Sequence, residues 1–131
     1  METVQALLID PQEQTVEKVK IPNKDYKEWK KVLGITSPIE IVRLEHIGEE
    51  KYTGVIVDDE GLYKEDNRYF KLQVYTQPLA GRALIVSWDD EDESGNLIDV
   101  TYPKGGMKWM PEDFKLALEG FTYVSLDEGL H

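Results

Sequence analysis

Tyr52-Thr53-Gly54-Val55-Ile56-Val57-Asp58-Asp59-Glu60-Gly61 joins two opposite compositions in one stretch. The first six residues are rich in β-branched and aromatic side chains, which suit a pleated, buried strand. The last four are acids and glycine, which suit a turn. A strand closed this sharply needs partners, and both flanks supply them. On the N-terminal side Ile39, Ile41, Val42, Leu44 and Ile47 form another run, with Gly48-Glu49-Glu50-Lys51 as the turn between the two. On the C-terminal side, polar residues 64–68 lead into Phe70, Leu72 and Val74, which alternate with Tyr69, Lys71, Gln73 and Tyr75 as a half-buried strand. Arg82 to Trp88 is an apolar strand, and Leu97 to Tyr102 is its expected hairpin partner across Asp89 to Asn96.

Nearer the ends of the chain, Val4 to Ile9 is stopped by Asp10-Pro11, and Val16, Val19 and Ile21 are stopped by Pro22, so residues 4–21 read as a hairpin. Asn23 is the expected N-cap of an amphipathic helix carrying Tyr26, Trp29, Val32 and Leu33, with Gly34 as its stop. Lys24, Lys27, Lys30 and Lys31 occupy its other side as a solvated face. After Pro103-Lys104-Gly105-Gly106 the spacing predicts a second helix from Pro111 to Gly120, then a last strand over Phe121 to Leu126. Strand signals outnumber helix signals, and no βαβ alternation is sustained. The expected fold is therefore α+β, a mixed, mainly antiparallel sheet with one or two helices packed on one face. No repeat or linker divides residues 1–131, which read as one domain.

Composition excludes several classes of function. There is no cysteine, so a disulfide framework, a thiolate nucleophile and a cysteine-ligated metal are all ruled out. The residues after Met1 form no secretory signal, and the longest apolar runs fall far short of a bilayer span, so a cytoplasmic protein with no membrane contact is expected. The 26 acids and 15 bases give a net charge of -11. Residues 1–37 balance six acids with six bases, so the excess negative charge belongs to residues 38–131. Such a surface repels phosphates, which argues against direct nucleic-acid binding and in favour of a basic protein partner.

Asp89-Asp90-Glu91-Asp92-Glu93 is the most unusual segment, because five adjacent carboxylates are tolerated only where water or cations screen them. Asp90, Asp92, Ser94 and Gly95 begin like a calcium loop, but the twelfth position is Thr101 where a bidentate glutamate is needed, and strands flank it where helices should. The segment reads as a solvated hairpin tip. Asp58, Asp59 and Glu60 follow a buried strand and read first as turn residues, although paired carboxylates in a pocket could serve acid–base chemistry. His46 and His131 cannot build a histidine metal site, and there is no nucleophile elbow or phosphate loop. No catalytic residue, metal ligand or cofactor is expected. Trp88 adjoins the acidic tip, and Trp109 sits between Met107 and Met110, residue types common both in cores and at interfaces.

Leu7-Leu8-Ile9-Asp10-Pro11, Gly54 to Gly61, Asp66-Asn67-Arg68 and Pro78-Leu79-Ala80-Gly81-Arg82-Ala83-Leu84-Ile85-Val86 together resemble a small domain of unknown function encoded mainly by phages and mobile elements. The resemblance covers about residues 4–100 and leaves Pro103 onward outside it. It implies no chemistry, but it implies a phage or prophage setting in which small acidic proteins bind and inhibit host machinery. The expectation is a non-enzymatic protein-binding domain, a phage accessory or anti-defence factor, with DNA mimicry as its sharpest form. Its partner would be a basic host or phage protein, held by Asp58, Asp59, Glu60, Trp88, Asp89, Asp90, Glu91, Asp92 and Glu93. The domain itself would be a monomer or small homo-oligomer. The rival expectations are a small-ligand or divalent-cation binding domain and, after them, a metal-dependent hydrolase using Asp58, Asp59 or Glu60.

Overall fold

Apolar runs broken by short polar turns favour antiparallel strands, and in a computed structural model these are the main element of the described residues. The structure describes residues 3–23, 25–48, 51–60, 68–75, 77–89, 96–103 and 106–110. In chain order the elements are β1 (Thr3–Asp10), β2 (Thr15–Pro22), α1 (Tyr26–Leu33), β3 (Ile39–Gly48), β4 (Lys51–Asp58), β5 (Tyr69–Leu72), β6 (Leu79–Ala80), β7 (Ala83–Asp89), β8 (Asn96–Ile98) and β9 (Met107–Trp109).

The larger sheet has the order β2-β1-β7-β4-β3, with β8 also paired to β7. β1 and β2 form the first hairpin, in register from Thr3↔Pro22 to Asp10↔Thr15. β3 and β4 form the second, with register shifts between Arg43 and Glu45 and between His46 and Gly48. β7 enters between the hairpins, pairing Leu7↔Ile85 on one side and Val55↔Ile85 on the other. At its far end β7 pairs with β8, Trp88 opposite Leu97, but the partner strand expected from Leu97 to Tyr102 ends at Ile98. The smaller sheet has the order β6-β5-β9.

Alternation along β4 and β7 sends side chains to both sides, and both sides are buried. Val55, Val57 and Ile85, with Leu7 and Ile9, pack against Phe70, Leu72, Leu79 and Met107 of the smaller sheet. Ile56, Leu84 and Val86, with Ala6 and Ile21, pack against Trp29 and Leu33 of the helix. The layers are therefore helix, large sheet, small sheet. On the side of the small sheet the hydroxyls of Thr53 and Ser87 lie 3.0 Å apart. Thr53 donates to the Thr101 carbonyl at 3.0 Å, and the Thr101 N–H donates to Ser87 at 2.9 Å, so these buried polar groups satisfy one another.

The expected α+β fold is corrected by this arrangement. Strands hold 60% of the described residues and helix about 9%, and the strand pairs are antiparallel. The physical reason lies in the two-sided burial of β4 and β7, which demands a cover on each face. One cover is a second sheet whose strands are too short to show a period. Phe70 and Leu72 lie in β5 as expected, but the strand stops there and Val74 falls in a turn, closed by Tyr75 N–H to the Leu72 carbonyl at 3.2 Å. The helix starts two residues later than Asn23 would place it. Asp25 is its N-cap, accepting from the Glu28 N–H at 3.2 Å, while Asn23 accepts from the Leu97 N–H at 3.0 Å and so ties the helix approach to β8. Gly34 ends the helix in the left-handed conformation, φ 70°, as read from the sequence. The helix expected from Pro111 and the strand expected from Phe121 lie outside the described residues. Among the described residues no helix is long and apolar enough to cross a membrane.

Candidate functional site

The residues expected to hold a partner divide into three groups. Asp58 is buried, and its Oδ1 accepts from the Ser37 hydroxyl at 2.7 Å and from the Glu60 N–H at 2.9 Å. An aspartate that folds back on the residue two positions ahead is building a turn. Asp59 and Glu60 are exposed on that turn, anchored by the Asp59 N–H on the Pro38 carbonyl at 2.9 Å. Asp90, Glu91, Asp92 and Glu93 lie outside the described residues. Trp88 and Asp89, at the end of β7, are half-buried. Among the described residues, Asp89 therefore lies apart from Asp58, Asp59 and Glu60. Asp58 turns inward at one end of β4, while Lys51, paired with Asp89, marks its other end.

Around Trp88 the fold assembles something the sequence order conceals. His46 pairs with Tyr52, and Tyr52 with Trp88, so antiparallel register sets three rings in a row across β3, β4 and β7. Their centroids are 5.0 and 5.9 Å apart, with planes tilted by 32° and 30°. The Arg43 guanidinium lies 4.0 Å from the Tyr52 ring centre, a cation–π contact that holds the ring in place. Gly54 explains how Trp88 can lie so low: a Cβ there would come within 2.5 Å of Trp88 Cζ3 and 2.6 Å of the Val42 carbonyl oxygen. Glycine leaves a slot into which the indole settles beside the bulged stretch of β3.

The row lies on the helix side of the sheet, but the helix leans on β2, at the opposite edge. Arg43 and His46 are exposed, Tyr52 and Trp88 are half-buried, and Ile41, on the same face of β3, is 46% exposed. Tryptophan, tyrosine and arginine are the side chains that most often dominate binding energy at protein interfaces. Of these residues sequence reading singled out Trp88 alone. Met107 and Met110, flanking Trp109, are buried, and Trp109 packs against the core between the sheets, so that aromatic segment is structural.

Among the described residues no group of three His, Asp or Glu side chains is placed to hold a metal ion. Comparison with curated proteins and with solved structures gives no match. Residues 3–105 match a domain of unknown function, DUF3846, over a span that takes in both sheets apart from the last strand, β9. By that match, which covers most of its length, the chain belongs to the DUF3846 family.

Proposed function

We propose that this chain is a non-enzymatic protein-binding domain that engages a basic partner through the outer face of β3, β4 and β7. The observation that carries the reading is the row His46–Tyr52–Trp88 with Arg43 over Tyr52, set on a part of the sheet that the helix leaves uncovered. Rings already fixed by their neighbours lose little freedom on contact, which favours binding. Asp89 stands at one end of this row, and the acidic run continues from it in sequence. With a net charge of -11, the domain would steer a cationic partner toward that end at low ionic strength. Asp58 has no part in this surface, because its carboxylate serves the turn. In the phage or mobile-element setting that the resemblance implies, the domain would act as an accessory or anti-defence factor on a host or phage protein.

A photo-crosslinking residue at His46, compared with one at Lys18 on β2, tests the reading in a host lysate. The expected result is a basic protein trapped from position 46 and not from 18, with yield falling as salt rises. Equal trapping from both positions, or trapping that salt does not affect, would overturn it.

A further inference from the structure

We propose a second, separate site: the cleft between the β1–β2 turn, the end of α1 and the Gly81–Arg82 corner binds a small oxyanionic ligand on the guanidinium of Arg82. The cleft holds about 490 Å³ and is lined by Asp10, Glu13, Gly34, Asp58, Arg68 and Arg82 among others. That volume is in the range of small-molecule sites, and the polar lining suits a charged ligand better than an apolar one.

Arg82 is held as a binding arginine should be. Its Nε donates to Asp10 Oδ2 at 3.1 Å, with Asp10 buried and the Arg82 side chain 46% exposed. Asp10 Oδ1 accepts the N–H groups of Gln12 at 3.0 Å and Glu13 at 3.3 Å, so one carboxylate fixes both the turn and the guanidinium. Among the described residues Asp10 is the acceptor Arg82 uses, which leaves its terminal amino groups for the cleft. A guanidinium fixed at Nε offers those groups as a planar pair, the geometry that receives a carboxylate or phosphate. Gly34, at φ +70°, ends the helix beside them, and a Cβ there would lie 3.4 Å from Arg82 Nη1. Arg68 is tied to the same corner, because the Gly81 N–H donates to its carbonyl at 2.9 Å. The acids of the lining do not cancel this charge equally. Asp10 and Asp58 already accept hydrogen bonds from the protein, whereas Glu13 is exposed on the turn, where its charge opposes an incoming anion.

The test is a ¹H–¹⁵N NMR titration of the full chain with inorganic phosphate, with malonate, and with glycerol as an uncharged control. Saturable shifts are expected for Arg82 Nε–H and for the amides of Gln12, Gly34 and Gly81, with phosphate or malonate and not with glycerol. Tighter phosphate binding assigns a phosphorylated ligand, and tighter malonate binding a carboxylate. Arg82→Lys keeps the charge but loses the planar fork, and should weaken binding roughly 10-fold. Arg82→Gln should abolish binding, and Glu13→Gln should tighten it. Shifts that never saturate, that centre on Lys27, Lys30 and Lys31, or that survive both Arg82 variants would overturn the assignment.

Discussion

The two faces of the large sheet carry the same strands and meet opposite fates. On the inner face Leu7, Ile9, Val55 and Ile85 are fully buried under the small sheet, and even the polar groups there pair with one another. On the outer face Ala6, Ile21, Ile56, Leu84 and Val86 are buried, Val4, Leu8 and Val19 only partly so, and toward β3 Ile41 and the aromatic row reach solvent. Geometry explains the gradient. An eight-residue helix is about 12 Å long, while five strands spaced ~4.8 Å apart span roughly 19 Å between their outer axes, so α1 cannot cover the full width of the sheet. The inner face supplies stability, and the outer face is where the fold has surface to offer. The same strands thus separate the two tasks by which way a residue points.

The sharpest way to break this contrast is to open the inner face. Phe70→Ala removes a fully buried ring and should cost about 3–5 kcal/mol, read from urea unfolding. A loss of under about 1 kcal/mol would show that the small sheet is not part of the cooperative core. An intermediate effect is expected where the outer face is tightest. Gly54→Ala sets a Cβ against Trp88 and the β3 backbone and should cost about 1–3 kcal/mol. In a Trp88→Leu background part of that cost should vanish; if none does, the Val42 carbonyl and not the indole is the obstacle. The smallest effect belongs to the open end. Ile41→Ser should change stability by no more than about 0.5 kcal/mol, while reducing crosslinking from position 46. A larger loss would mean that this side chain is held by contacts its exposure does not reveal.

Strand positions were legible because each apolar run ends at a residue that cannot continue it. Asp10-Pro11, Pro22, Gly34 and Asp58-Asp59 each stop an element at or near the place where it stops in the fold. The second sheet was not legible, since β6 and β9 hold two and three residues, too few for any period to appear. One signal was present and could have been used. The unbroken apolar runs Val55-Ile56-Val57 and Ala83-Leu84-Ile85-Val86 fit strands buried on both faces, and a single layer of helices covers only one. Asp58 looked like a surface acid because turn chemistry and a binding surface favour the same residue type. In the fold its carboxylate accepts from Ser37, which approaches from another part of the chain. The aromatic row was hidden for a related reason. His46, Tyr52 and Trp88 become neighbours only through register, including the bulge after Arg43 that a simple alternating pattern does not foresee.

The placement of β7 between the two hairpins governs what happens while the chain is still being made. Until residues 83–89 leave the ribosome, β1 and β4 each present an unpaired inner edge flanked by apolar side chains, the kind of edge that captures other chains. A polypeptide interrupted before Ala83 keeps both edges open. It is a chain with a strand-shaped vacancy, which a supplied peptide bearing Ala83 to Ile98 could fill by donor-strand complementation.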